Sequence, residues 1–149
     1  MSSSKAINDY TRFYPAPFHG WFSTSGLHSL REDDLSGSDS YFSIPIVTNM
    51  SADMRKIFPE AFDMAGVQVT LEVRIPHGVS VRNIVITAPG ETGSGHSISA
   101  PPADGTWHTV GGFWTPEKPE LNQIHIFLQD PVAPSDYFEV GIKSIRIES

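Results

Sequence analysis

The chain has 149 residues, 39% hydrophobic and 18% charged, with twelve glycines and twelve prolines. That balance excludes a disordered chain and a membrane-embedded one, and so many backbone interruptions exclude a helical bundle. The net charge is −7 and the ten Lys and Arg are scattered, with Arg55-Lys56 the only adjacent pair, so neither nucleic acid nor an anionic membrane is expected as a partner.

There is no cysteine, which removes disulfides and thiolate metal sites. The start, Met-Ser-Ser-Ser-Lys, has no apolar run of the kind that directs export, so synthesis in a cytosol without a cleaved signal is expected. Residues 1–26 hold Tyr10, Phe13, Tyr14, Phe18, Trp21 and Phe22, broken by Pro15, Pro17 and Gly20. They read as an extended N-terminal arm and loop, ahead of one domain over 27–149. Leu27 to Arg31 is a short strand, followed by polar turns at 32–34 and 36–39. Tyr41 to Val47 is a strand whose Pro45 points to an edge or a bulge. Ser51 to Phe58 reads as one short helix, capped by Ser51, favoured by Ala52, Met54 and Lys56, and stopped by Pro59.

Val67, Val69, Leu71, Val73 and Ile75 then alternate with Gln68, Thr70, Glu72 and Arg74, the period of a strand with one buried and one wet face. Further strands are predicted over 81–88, 96–100, 106–115, 122–129 and 137–148. The loop at 89–95 and the turns at 76–78, 101–105 and 130–135 separate them. No crossover helix intervenes, so the strands are expected to be largely antiparallel. The predicted fold is an all-β, two-sheet sandwich of jelly-roll type with one short helix at 51–58.

Asp104-Gly105-Thr106-Trp107-His108-Thr109-Val110, then Trp114-Thr115, then Ile124-His125-Ile126-Phe127-Leu128 resemble the closing strands of carbohydrate-binding modules of the xylanase and glucanase type. The final strand would be Val140 to Ile147 and the central one Val67 to Ile75; the likeness covers about residues 65–149. The resemblance implies a non-catalytic, polysaccharide-binding jelly roll with Trp107 and Trp114 in its core. It also implies a structural calcium ion held by acids in the last strand. Here those positions are Lys143 and Ser144, and a lysine repels the cation, so no metal is carried over. A jelly roll without an export signal is also similar to small surface proteins of tailed bacteriophages, such as capsid decoration and fibre proteins. That likeness implies location on a virion, with a cytoplasmic location as the alternative. Its partners would be further copies of the chain or capsid and tail proteins.

The chemistry-bearing residues fit a binding role better than catalysis. Sugars stack on exposed aromatics while amides and carboxylates hold their hydroxyls. Phe18, Trp21 and Phe22 in the broken N-terminal segment, Phe113, which points away from Trp114, and Tyr137 are candidates for glycan or partner contact. Gln68, Glu72 and Arg74, on the polar side of their strand, join them. The six histidines form no ligand-spaced pair, the Gly90 to Gly95 loop lacks the Lys and Ser/Thr of a phosphate loop, and no nucleophile elbow occurs. Glu32, Asp33 and Asp34 read as solvated turn residues rather than a glycosidase pair. No catalytic residue, metal or cofactor is therefore assigned. The leading expectation is a structural or binding module on a phage particle; a free-standing lectin-like module is next and a small glycan-cleaving enzyme last.

Overall fold

The computed structural model describes residues 5–13, 18–32, 40–89, 95–135 and 138–149. Residues 33–34 of the predicted turn at 32–34, the turn at 36–39, most of the 89–95 loop, and Tyr137 lie outside them; Glu32, expected in that turn, ends a strand instead. Among the described residues there are twelve strands: β1 (Lys5–Ala6), β2 (Asn8–Arg12), β3 (Trp21–Phe22), β4 (Ser29–Glu32), β5 (Ser40–Pro45), β6 (Asp53–Asp63), β7 (Val67–Arg74), β8 (Asn83–Thr87), β9 (His96–Ser99), β10 (Trp107–Trp114), β11 (Glu120–Gln129) and β12 (Glu139–Glu148).

They form two six-stranded sheets. The back sheet runs β1-β6-β11-β8-β9, with β3 also on β6; the front sheet runs β10-β7-β12-β5-β4, with β2 also on β12. Every pairing is antiparallel except β1 with β6. The all-β sandwich expected from the alternating pattern is the observed fold.

The interior explains the alternation. Val67, Val69, Leu71 and Val73 of β7 face Met54, Ile84, Ile86, Ile124 and Ile126 of the back sheet, all buried. Burying each such side chain is worth about 1.5–3 kcal/mol. In β12 the buried set is Val140, Ile142, Ile145 and Ile147, which changes phase after Ile142. The register shifts there, between Ile142 and Ser144 against β7. Lys143 is the extra residue of this bulge, and bulges re-aim side chains without breaking the sheet.

One predicted element is corrected. Residues 51–58 form no helix; from Asp53 the chain is strand β6. Helix-favouring Met54 and Lys56 yield because Met54 and Phe58 supply apolar interior and β11 pairs along the strand from Asp53 to Asp63. Tertiary burial outweighs propensities of a few tenths of a kcal/mol per residue.

The N-terminal pieces alternate between sheets: β1 and β3 join the back, β2 and β4 the front. Two cross-links accompany this lacing. Trp21 Nε1 of β3 donates to Thr11 Oγ1 of β2 at 3.3 Å, and Lys56 Nζ of β6 lies 3.2 Å from both carboxylate oxygens of Asp9 in β2. The last residue closes on the first strands: Ser149 N donates to Ile7 O, and Ile7 N donates to Ser149 Oγ, each at 2.9 Å. Among the described residues no helix is long and apolar enough to cross a membrane.

Candidate functional site

Because β7 lies between β10 and β12 in the front sheet, its wet side marks the outer face, and the register carries that face across the neighbours. Four rows result: Phe113–Gln68–Glu148–Asn8, Gly111–Thr70–Arg146–Tyr10, Thr109–Glu72–Ser144–Arg12, and Trp107–Arg74–Gly141–Ser43. Successive rows are two residues, about 6.7 Å, apart, so the four span roughly 20 Å. Gly111 leaves one position without a side chain between the aromatic ends. Phe113 is 66% exposed and Tyr10 is 50% exposed.

The fourth row is the most structured part. Tyr41 meets Trp107 edge to face, with ring centroids 5.5 Å apart. The Arg74 guanidinium carbon lies 4.8 Å from the centroid of each ring, and Lys143 Nζ lies 4.6 Å over the indole. Such contacts are worth about 0.5–2 kcal/mol each, depending on desolvation. Gly141 is the floor on which both rings rest: a Cβ there would stand 2.9 Å from Tyr41 Cδ2 and 3.0 Å from Trp107 Cη2.

Glu139 anchors the cluster from below. Its carboxylate accepts the Tyr41 hydroxyl at 2.5 Å and the Ser43 hydroxyl, and pairs with Arg31 Nε at 2.9 Å. Burial, reinforced by the hydrogen bond to Glu139 and its negative charge, pushes the Tyr41 phenol up to about 12. Tyr41 therefore stays a neutral donor at any physiological pH. A cleft of about 160 Å³ opens beside this group, lined by Tyr41, Arg74, Pro76, Phe138, Glu139 and Gly141. Two rows away, Glu72 Oε1 accepts Ser144 Oγ at 2.6 Å, and Arg146 lies 4.6 Å over the Tyr10 ring.

The sequence-predicted candidates separate on this map. Gln68, Glu72, Arg74 and Phe113 come together on the front face, as the period-two pattern implied. Trp21 does not: it is 1% exposed, in the core beneath Lys56. Phe18 is half-buried, edge-on to Phe42 and His28, and Phe22 pairs beside Arg55 on the back sheet. Tyr137 lies outside the described residues. The family-derived core position of Trp107 is corrected. It faces outward opposite Arg74, whereas Trp114 is buried as expected. Seven residues separate the two tryptophans, an odd number that puts them on opposite sides of an unbulged strand.

Sequence reasoning missed Tyr10, Tyr41, Trp107, Glu139, Lys143 and Arg146 as parts of this face. A signal existed for Trp107, which lies six residues from Phe113 and so shares its side of β10. The others depend on which strands pair. Pairing also overturns the impression of scattered cations: Arg12, Arg31, Arg74, Lys143 and Arg146 share the front face with three carboxylates among the described residues, Glu72, Glu139 and Glu148.

The back sheet's outer face is different. Asp53 accepts Thr24 N and Thr24 Oγ1 at 2.9 and 2.5 Å and pairs with Arg55 at 3.3 Å. Nearby His125, whose Nε2 lies 3.2 Å from Gln123 Oε1, is held below the usual histidine range, first by burial and then by the Arg55 charge. A second cleft, about 830 Å³, sits at one end of the sandwich between Ile46, Val47, Met50, Pro131, Val132 and Pro134. Among the described residues no titratable side chain lines it. Among the described residues no three potential metal-ligating carboxylates or imidazoles converge.

Three solved structures share this two-sheet architecture over nearly the whole chain. A family 11 carbohydrate-binding module from Clostridium thermocellum, solved with a β-1,3-1,4-mixed-linked tetrasaccharide, superposes with a TM-score of 0.57 at 9% identity, covering 99% of this chain and 98% of that one. A xylan-binding module of family 15 gives 0.54 at 13% identity, covering 96% of each. The fold is that of carbohydrate-binding modules. A third structure, the family 22 module and catalytic module of Clostridium thermocellum endo-1,4-β-D-xylanase 10B with xylohexaose, gives 0.67 at 10% identity. It is covered to 97% of this chain but only 28% of its own length, so the carbohydrate-binding-module-like chain spans little more than a quarter of that polypeptide. No protein-family profile matches the sequence, and no curated protein matches it.

Proposed function

We propose that the chain is a non-catalytic polysaccharide-binding module whose binding surface is the outer face of the front sheet. The observation that carries this reading is the four-row face itself, with Phe113 and Tyr10 exposed at one end and the Tyr41–Trp107 pair at the other. The exposed rings of Phe113 and Tyr10 offer flat apolar contacts to sugar rings, and Gln68, Thr70 and Thr109 offer hydroxyl and amide partners. The carbohydrate-binding-module fold supports the same function class. A non-catalytic role is supported by the carboxylates of this face: Glu72 and Glu139 are taken up by hydroxyls and by Arg31 rather than poised across a cleft.

Affinity electrophoresis in gels containing soluble polysaccharides tests the reading. Retardation by at least one polysaccharide, abolished by Phe113→Ala with Tyr10→Ala and kept by Ile57→Ala on the back sheet, is the expected result. Equal loss from both faces, or no retardation at all, refutes it. A place on the surface of a phage-like particle, as copies of the chain or with capsid or tail proteins, is a setting in which such a module would work. Co-sedimentation of the chain with purified particles is its separate test.

A further inference from the structure

We propose that the front sheet continues across a two-fold axis into the front sheet of a second copy of this chain, joined along β10. Among the described residues β10 pairs with β7 alone, so its far side is a sheet edge. β9 approaches that edge from the back sheet through His96 and Ile98, without pairing to it. An open edge presents a row of unpaired N–H and C=O groups and invites another strand. The other edges carry residues that deter one. β4 holds Arg31 and Glu32, β2 holds Asp9 and Arg12, and β9 has four residues and runs into Pro101-Pro102. The stretch of β6 between its pairings with β3 and β1 holds Pro59 and Glu60. β10 has no such guard. Trp107 to Trp114 contains no Lys, Arg, Asp, Glu or Pro, and it pairs with β7 over all eight residues without a register shift. Thr109, Gly111 and Phe113, on its outer side, are exposed.

A second copy fits this edge because β10 complements itself. Two identical strands in one sheet meet antiparallel about a two-fold axis, the commonest symmetry of dimers. Opposed residues share a face of the sheet, so the axis must pass at a residue rather than between two. Centred on Val110, the pairing sets Thr109 beside the partner's Gly111 and Trp107 beside the partner's Phe113 on the outer face. Beneath, the two partly buried Val110 side chains meet at the axis. Apolar contact at the centre and an aromatic pair at each end are favourable cross-strand neighbours. Centred on Gly111 instead, glycine would face glycine at the axis with no side-chain contact. The glycines have close neighbours of their own: a Cβ would stand 2.6 Å from Val69 O at Gly111 and 2.6 Å from His96 Nε2 at Gly112. Both leave the edge flat all the same. The outer faces of the two copies then lie side by side, with their Phe113 residues about 20 Å apart along the joined strands. One extended polymer can engage both copies and gain avidity.

Sedimentation equilibrium of the full chain from about 1 μM to 1 mM, with no sugar present, tests the proposal. One strand pair is a small interface, so a reversible monomer–dimer equilibrium is expected within that range. Thr109→Lys sets two lysines about 8 Å apart across the axis. It is expected to weaken the dimer about three- to thirtyfold, the span of that repulsion between water and a protein surface. Ile57→Lys on the back sheet is expected to leave the association unchanged. The chain has no cysteine, so Val110→Cys carries one thiol per copy. Opposed residues of an antiparallel pair lie about 4.5–5.5 Å apart at Cα, within disulfide reach. Oxidised glutathione should therefore link Val110→Cys into a covalent dimer and leave Phe113→Cys, about 20 Å from its mate, unlinked. Melting temperatures, measured alongside, show that each variant is folded. A monomer over the whole range overturns the proposal. So does a dimer that Ile57→Lys weakens as much as Thr109→Lys, the absence of a link through Val110→Cys, or a link formed as readily through Phe113→Cys. Sugar enters none of these measurements, so their failure leaves the polysaccharide-binding reading to its own assay.

Discussion

Replacing Gly141 by alanine puts one methyl group between two rings that have no room for it. The new carbon would stand 2.9 Å from Tyr41 Cδ2 and 3.0 Å from Trp107 Cη2, against a comfortable carbon–carbon separation of about 3.5–4.0 Å. Each ring must therefore retreat by roughly 0.5–1 Å. Neither is free to do so: Tyr41 is buried with its hydroxyl on Glu139, and Trp107 is packed among Tyr41, Arg74 and Lys143. Overpacking of this kind costs about 1–3 kcal/mol. At this chain length each kcal/mol moves the midpoint by about 2–4 °C, so Gly141→Ala should melt about 2–12 °C lower than the parent in a thermal scan by circular dichroism. The cost should shrink when Trp107→Ala is already present, because one of the two obstructing rings is then gone, Tyr41 gains room to shift, and the two changes are not additive. A Gly141→Ala midpoint within about 1 °C of the parent, with an unchanged near-ultraviolet spectrum, would refute the packing argument.

Three further outcomes follow from the same contacts. Glu139→Gln removes the charge and weakens the acceptor that hold the Tyr41 proton, so that phenol should ionise below its present value of about 12, as read by ultraviolet titration of the tyrosines. His28 is held below its ordinary 6.5 mainly by burial, and its Nδ1 accepts Ser23 N–H at 3.1 Å, so the fold prefers it neutral. The unfolded chain then takes up protons first, and the contribution of His28 and of the similarly lowered His125, complete above about 6.5, is lost as pH falls through their folded values. Melting scans between about pH 8 and 5 should show that decline, shallower in His28→Asn, and an identical slope in the variant would remove His28 from the account. Asp9→Ala strands Lys56 over the Trp21 and Phe58 rings and should cost about 1–3 kcal/mol in urea unfolding, whereas Lys56→Met, which keeps the apolar packing, should cost less.

How much of this was legible before the structure depends on whether a feature lives within one strand or between strands. The β7 alternation announces its own two faces, and Gln68, Glu72 and Arg74 fall where period two puts them. The apolar positions Val140, Ile142, Ile145 and Ile147 even carry the bulge, since a three-residue step cannot stay on one face of a regular strand. Trp107 shares its parity with Phe113, so period two alone puts it on the outer face, against the core position that the family resemblance implies. Residues 51–58 read as a helix because Ala52, Met54 and Lys56 favour one locally, whereas from Asp53 they open a strand that runs to Asp63. Its partner β11 is roughly seventy residues away and leaves no local trace. The gathering of five cations was illegible for the same reason: β2, β4, β7 and β12 each bring one or two, and only pairing makes them neighbours.

The closure of Ser149 onto Ile7 has a mechanical consequence. β2 and β12 are antiparallel, and the start of one lies against the end of the other. A force applied to the two ends of the described chain would pull these strands apart from their shared tip, loading the cross-strand hydrogen bonds one after another rather than together. A domain tethered in that way opens like a zipper at low tension. Anchored at one end alone, it carries no such load, and its exposed rows stay intact while whatever they grip is tugged.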